Sequence, residues 1–178
     1  MRLLRCRICG ETFLAAEEPS HCPFCGAHRE YFVDTTEYPE DINDVQLTEM
    51  ERDDVLAAIE LERANTRFYL AMAKRPDNPK LASAYKRLAK IEAEHASVFC
   101  KLAGVSKPAD LMEPGDAGAD WCADIRESAE REQRARSFYS TVAERATNAR
   151  IAEVFTAVSA VEADHIDVDA VAARIAGC

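Results

Sequence analysis

Four stretches of the chain repeat apolar residues in the alternating three- and four-residue steps of a helix that buries one face. The first runs Val55, Ile59, Glu62, Thr66, Tyr69, Ala73, and the second Leu81, Tyr85, Leu88, Glu92, His95, Phe99, Leu102. The third runs Ile125, Ala129, Glu132, Ala135, Tyr139, Val142, Ala146, and the fourth Ile151, Phe155, Val158, Glu162, His165, Asp169, Ala172. The punctuation agrees with the periodicity. Thr48 and Glu51 frame a capping box at the start of the first helix, which stops near Arg75 and Pro76. Asn78 with Pro79 opens the second helix and Gly104 closes it. Trp121 opens the third and is read as a packing residue, and Asn148 caps the fourth. Val105 to Asp120, with two prolines and two glycines, is too long for a hairpin and suits a crossover between parallel helices. The pattern predicts a mostly α protein whose body is a four-helix bundle over 48–178.

The first 33 residues lack this period and read as a separate module, joined to the bundle by an acidic, proline-broken linker over 34–47. Cys6-Arg7-Ile8-Cys9-Gly10 and Cys22-Pro23-Phe24-Cys25-Gly26 form two knuckles, with twelve residues between Cys9 and Cys22. Two tight turns bearing four thiolates match the tetrahedral demand of iron or zinc. A glycine after each second cysteine supplies the positive φ that turns backbone N–H groups toward sulfur. Phe13, Tyr31 and Phe32 offer little core, so metal binding must hold much of the module together. His21 and His28 read as surface histidines.

Composition narrows the function classes. The net charge of −10 argues against a partner held through nucleic-acid phosphates. No apolar run approaches a membrane span, and Arg2 and Arg5 interrupt the N-terminus too early for a signal peptide. Seven cysteines, four of them in knuckles, point to a reduced, cytoplasmic chain with metal-bound thiolates rather than a disulfide framework. Cys100, Cys122 and Cys178 lie outside any motif and read as structural or incidental.

The helices carry a second signal. Glu92 and His95 recur 70 residues on as Glu162 and His165, and the same offset takes Glu62 to Glu132, Tyr69 to Tyr139 and Asn78 to Asn148. The chain is therefore a duplicated helix hairpin, each copy holding one lone Glu and one Glu-x-x-His on the inward face. Glu60 and Glu130 also repeat but fall off that face. Glu94 and Asp164 lie one residue before their histidines and read as solvated, or as partners for an imidazole N–H. Burying Glu62, Glu92, Glu132 and Glu162 uncompensated would be very costly. Two divalent cations offset four carboxylates, and His95 and His165 complete the ligand set of a carboxylate-bridged two-metal site. Oxygen ligands plus imidazole suit iron or manganese and oxygen chemistry. Tyr69 and Tyr139 sit two turns beyond a lone Glu, where each can hydrogen-bond a ligating carboxylate or serve as plain core.

With C-x2-C-x12-C-x2-C at 6–25 and E-x6-Y followed by E-x-x-H twice, the chain resembles the rubrerythrins, in the reversed order that some members show. The resemblance implies a ferritin-like di-iron bundle, an iron–thiolate module of rubredoxin type, and reduction of hydrogen peroxide. It also implies an external electron donor, such as an NAD(P)H-dependent reductase or a rubredoxin, and a homodimer in which one chain's module serves the other's di-iron site. Members commonly carry an extra glutamate three residues after the first ligand of the third helix, where this chain has Ala135. That departure brings the ligand set close to ferroxidases acting on iron with oxygen or peroxide. A structural zinc ribbon remains a further expectation for the module.

Overall fold

The computed structural model describes residues 1–118 and 120–178. Its body is four long helices: α1 (Glu49–Ala73), α2 (Pro79–Ala103), α3 (Trp121–Arg145) and α4 (Ala149–Ala176). Helices α1 and α2 form one hairpin and α3 and α4 the other, with α2 packed on α4 and α1 on α3. The caps are those the sequence supplies. Thr48 and Glu51 bond reciprocally, Asn78 accepts from Leu81 N, and Gly104 takes the left-handed conformation at φ +65°. Asp120 caps α3 and Asn148 caps α4. Glu51 does more than close its own helix. It also accepts from Thr147 N and Asn148 N at the turn between α3 and α4, tying the two hairpins together at one end. Burial acts against its charge, but these donors hold its carboxyl down to about 2.

The crossover between α2 and α3 is strapped along α1. Arg63 and Arg67 both bind Asp110, and Gly115 N bonds Arg67 O at 2.9 Å. Position 119, within this expected crossover, lies outside the described residues. No described helix is long and apolar enough to cross a membrane.

The N-terminal module is a three-stranded antiparallel sheet, β1 (Arg2–Cys6) between β2 (Thr12–Ala15) and β3 (Phe32–Asp34). Its scant core is completed by the bundle. Leu4, Ile8 and Phe13 belong to one buried cluster with Phe99, Val154 and Val158. Docking therefore removes apolar surface from water, about 1.5–3 kcal/mol for each large side chain fully covered. The expected linker is less passive than its composition suggests. Its first residue, Asp34, ends strand β3. Tyr38 is buried with Arg5 over its ring, and Glu40 pairs with Arg5.

The expectation of wholly reduced cysteines is corrected in one respect. Cys122 and Cys178 form a disulfide. The start of α3 and the end of α4 lie at the same end of their hairpin, with Cα atoms 5.7 Å apart, well inside bridging range. Cys100 is a buried free thiol.

Candidate metal centres

The two knuckles bring Cys6, Cys9, Cys22 and Cys25 into one buried cage. Gly10 and Gly26 have φ of +82° and +77°, and each closes its turn by bonding the first cysteine's carbonyl. The Cys6–Cys25 and Cys9–Cys22 sulfurs are each 3.8 Å apart. A regular tetrahedron with metal–sulfur bonds of about 2.3 Å has an edge of about 3.8 Å. The cage thus has the dimensions a tetrathiolate metal requires, and Glu11 N contacts Cys9 Sγ at 3.4 Å.

At mid-bundle the six donors predicted from the repeat converge. Glu62, Glu92, His95 and Glu162 form one group, and Glu92, Glu132, Glu162 and His165 the other. Glu92 and Glu162 belong to both, which is the position of bridging carboxylates. The imidazoles present Nδ1 to the cage. His95 Nδ1 is 3.4–3.5 Å from oxygens of Glu62, Glu92 and Glu162, and His165 Nδ1 is 3.0 Å from Glu92 and Glu162. All six residues are buried. Glu62 Oε2, both Glu92 oxygens, Glu132 Oε2, Glu162 Oε1 and His95 Nδ1 have no hydrogen-bond partner among the described residues. So many orphaned donors and acceptors in one dry cage fit metal ions in the space between them.

The electrostatics show how the cage balances itself with protons. Burial, then the charges of Glu92 and Glu162, hold Glu62 and Glu132 well above the ordinary carboxylate range. Burial opposes charge on Glu92 too, but His165 beside it keeps that carboxyl low. Glu162 is likewise kept low against burial and the charge of Glu92, by its hydrogen bond to His165 and the nearby imidazole of His95. Burial disfavours charged imidazole at His95 and His165, yet the surrounding carboxylates raise both. The shifts of Glu62, Glu132 and the two imidazoles all favour proton uptake, the same sense of charge compensation that two divalent cations would bring.

Tyr139 donates to Glu62 Oε1 at 2.7 Å, and Tyr69 donates to Glu132 Oε1. Each tyrosine reaches from one hairpin to a carboxylate of the other, so the repeat's symmetry holds in space. Behind the tyrosines it fails. Phe99 and Phe155 pack against Tyr139, each 5.6 Å between ring centres. Behind Tyr69, Ser128 and Tyr85 both donate to Asp169, whose carboxyl burial pushes up to about 6. Asp169 and Tyr85 were visible only as seam positions. Their pairing was hinted at by Tyr85 and Phe99 exchanging character with Phe155 and Asp169 across the repeat.

Other sequence readings resolve as follows. Glu60 pairs with Arg63 on an exposed face, and Glu130 is exposed near Arg134. Trp121 packs at the bundle end against Tyr85. Ala135 is fully buried one turn from Glu132. His28 is only partly exposed and bonds Asp164, so these two are partners rather than separate surface groups.

The two centres touch. His95 Nε2 is 2.8 Å from the carbonyl oxygen of Cys25, so a thiolate ligand and a bundle ligand share a hydrogen bond within one chain. Gly26 makes this approach possible, since a Cβ there would meet Val161 Cγ1 at 2.8 Å. Lys101 Nζ also bonds Cys9 O at 2.8 Å, and Arg150 bonds the carbonyls of Arg7 and Ile8. The expectation that the module serves a partner chain is not needed for the two centres to meet.

Comparison with known proteins agrees with this anatomy. Residues 5–33 match the family described as rubrerythrin, rubredoxin-like domain, and residues 54–115 match the rubrerythrin family. The chain is 35% identical over 120 residues to reverse rubrerythrin-1 of Clostridium acetobutylicum. That match covers 62% of this chain and 66% of the relative, just short of two thirds of its length. No solved structure matches significantly. The four-cysteine cage is accordingly a rubredoxin-like iron site, and the buried carboxylate–histidine cage a di-iron site.

Proposed function

Because this chain belongs to the rubrerythrin family, with its thiolate module ahead of its bundle, we propose that it is an oxidative-stress oxidoreductase reducing hydrogen peroxide to water. In this reading its own rubredoxin-like module refills the bundle with electrons from an external reductase or rubredoxin. The observation that carries the reading is the hydrogen bond between His95 and the Cys25 carbonyl. It gives a continuous bonded path from thiolate cage to carboxylate cage inside one chain.

When bound, a pair of iron ions supplies the two electrons and the Lewis acidity that cleaving a peroxide O–O bond requires. The residues do the rest. Glu92 and Glu162, shared by both donor groups, would be held in common by the two ions. Tyr69 and Tyr139 hold Glu132 and Glu62 from the opposite hairpin, limiting their rotation. Phe99 and Phe155 keep water from the Tyr139 side. Peroxide, two electrons and two protons give two waters, and the Ser128–Asp169–Tyr85 group places exchangeable protons behind Tyr69.

Ala135 favours a second reading. A buried alanine in place of the family's usual glutamate leaves six donors, the set suited to oxidising Fe(II) for iron handling. Anaerobic stopped-flow mixing of the reduced protein with peroxide and, separately, with oxygen distinguishes the two. The peroxidase reading expects faster oxidation by peroxide. Faster oxidation by oxygen, with added Fe(II) consumed, supports the ferroxidase.

A further inference from the structure

Outside these two centres, three more metal-ligating side chains meet at the seam between the module and α4. His21 and His28 face one another across an isolated antiparallel bridge, their rings edge to face at 4.7 Å. The Nε2 atoms of both turn toward the same oxygen of Asp164, at 2.7 Å from His28 and 3.4 Å from His21. The three donor atoms lie within 4.8 Å of one another. Behind His21, Ser20 Oγ lies 2.8 Å from Nδ1, an oxygen of the kind that fixes an imidazole as a metal ligand, whereas Glu30 Oε1 stands 3.9 Å from His28 Nδ1, an ion-pair rather than a hydrogen-bond distance. The side chains are 46%, 32% and 43% exposed, so water can complete a coordination shell.

We propose that His21, His28 and Asp164 form a third metal site, for a divalent first-row transition cation, which clamps the module onto the bundle. Two imidazoles and one carboxylate select zinc-like or ferrous ions over calcium and magnesium, which take oxygen shells. A simple ion pair would need only one histidine, whereas here the bridge aims two at one oxygen. Two ligands come from the module and the third from α4, so the complete site exists only in the docked form. A cation that binds only that form shifts the equilibrium toward it by mass action. His21 and Asp164 also line a cleft of about 470 Å³ that reaches the ring of His165. The clamp therefore forms part of the wall of a cleft beside the di-iron cage.

The test is calorimetric titration of zinc chloride into the iron-loaded full-length protein. Visible absorption of the thiolate iron is followed in parallel, so that any displacement is counted separately. One additional zinc per chain is expected in the wild type. His28→Gln and Asp164→Asn, both at partly exposed positions, should each weaken that binding by at least about tenfold. Zinc should slow amide hydrogen exchange over 21–28 and 161–168 in the wild type and not in the variants. The proposal is overturned by equal zinc affinity in wild type and variants, by no zinc bound beyond the iron centres at millimolar concentration, or by exchange that zinc leaves unchanged.

Discussion

The Nε2 atom of His95 donates to the backbone oxygen of Cys25 at 2.8 Å, so the orientation of a bundle ligand is set by the module. With Nε2 committed to this bond, Nδ1 faces Glu62, Glu92 and Glu162. Fixing the tautomer and ring of a metal-binding histidine is the usual work of such an outer partner. His165 has no counterpart, its Nε2 being buried without a hydrogen-bond partner among the described residues. The two halves of the duplicated bundle therefore differ in their link to the module, although their ligands match.

Gly26→Ala tests that link. The position has φ of +77°, and a Cβ would stand 2.8 Å from Val161 Cγ1. The variant should lose about 1–3 kcal/mol of stability, and the module should shift away from α4. Rapid mixing of the reduced variant with peroxide should show oxidation of the thiolate iron slowed relative to wild type, with total iron unchanged. Wild-type kinetics would mean that electrons do not depend on this contact.

Glu92 and Glu162 are each shared by both donor groups, whereas Glu132 belongs to one. Glu92→Ala or Glu162→Ala should lower bundle iron from two ions toward one or none, and Glu132→Ala should mainly empty one position. Removing a bridge leaves the other carboxylates uncompensated unless they take up protons. Iron analysis reporting two tightly held ions in both bridge variants would contradict the assignment.

Glu51 joins the start of α1 to the turn before α4. Its carboxyl is depressed from 4.5 to about 2 in the fold. A depressed carboxylate contributes stability that is fully present above the unfolded-state value and lost as pH falls toward the folded one. Glu51→Gln should cost about 2–3 kcal/mol at pH 7, and the gap from wild type should shrink as pH drops below about 4.5. Denaturant unfolding of metal-stripped protein at pH 7 and pH 3 measures both gaps. A gap independent of pH would show that the carboxylate charge is not what joins the hairpins.

Ala135 is buried one turn beyond Glu132. Ala135→Glu should place a fifth carboxylate, and so a seventh donor, at the cage and raise peroxide reactivity relative to oxygen reactivity. Crystals of the oxidised and reduced variant should show the new carboxylate on a metal in at least one state. No such contact in either state would contradict the assigned role of this position.

The bundle was legible because its signals are periodic. Glu92 and His95 share a face with Leu88 and Phe99, and the 70-residue echo repeats both ligands and phase. The same geometry put Tyr69 and Tyr139 within reach of a ligating carboxylate but left plain core equally open, and the bonds to Glu132 and Glu62 are what the structure adds. What escaped the sequence depends on contacts without a period. His28 and Asp164 are 136 residues apart and meet only because the module docks on α4. Cys122 and Cys178 pair because a hairpin returns its last residue to its first turn, a relation that spacing motifs do not encode. The linker's acidity concealed Tyr38, which is buried beneath Arg5.

The central claim is that the bundle performs the chemistry and the module refills it. Cys22→Ser tests it most directly, because serine is a poor substitute for a soft thiolate in the cage while the six bundle donors lie elsewhere. With bundle iron verified first, single-turnover and steady-state peroxide consumption are measured on one preparation. Two stored electrons should still reduce about one peroxide per bundle site, while sustained turnover with an external reductase should collapse. Steady-state rates near wild type in a variant that has lost its thiolate iron would contradict the account.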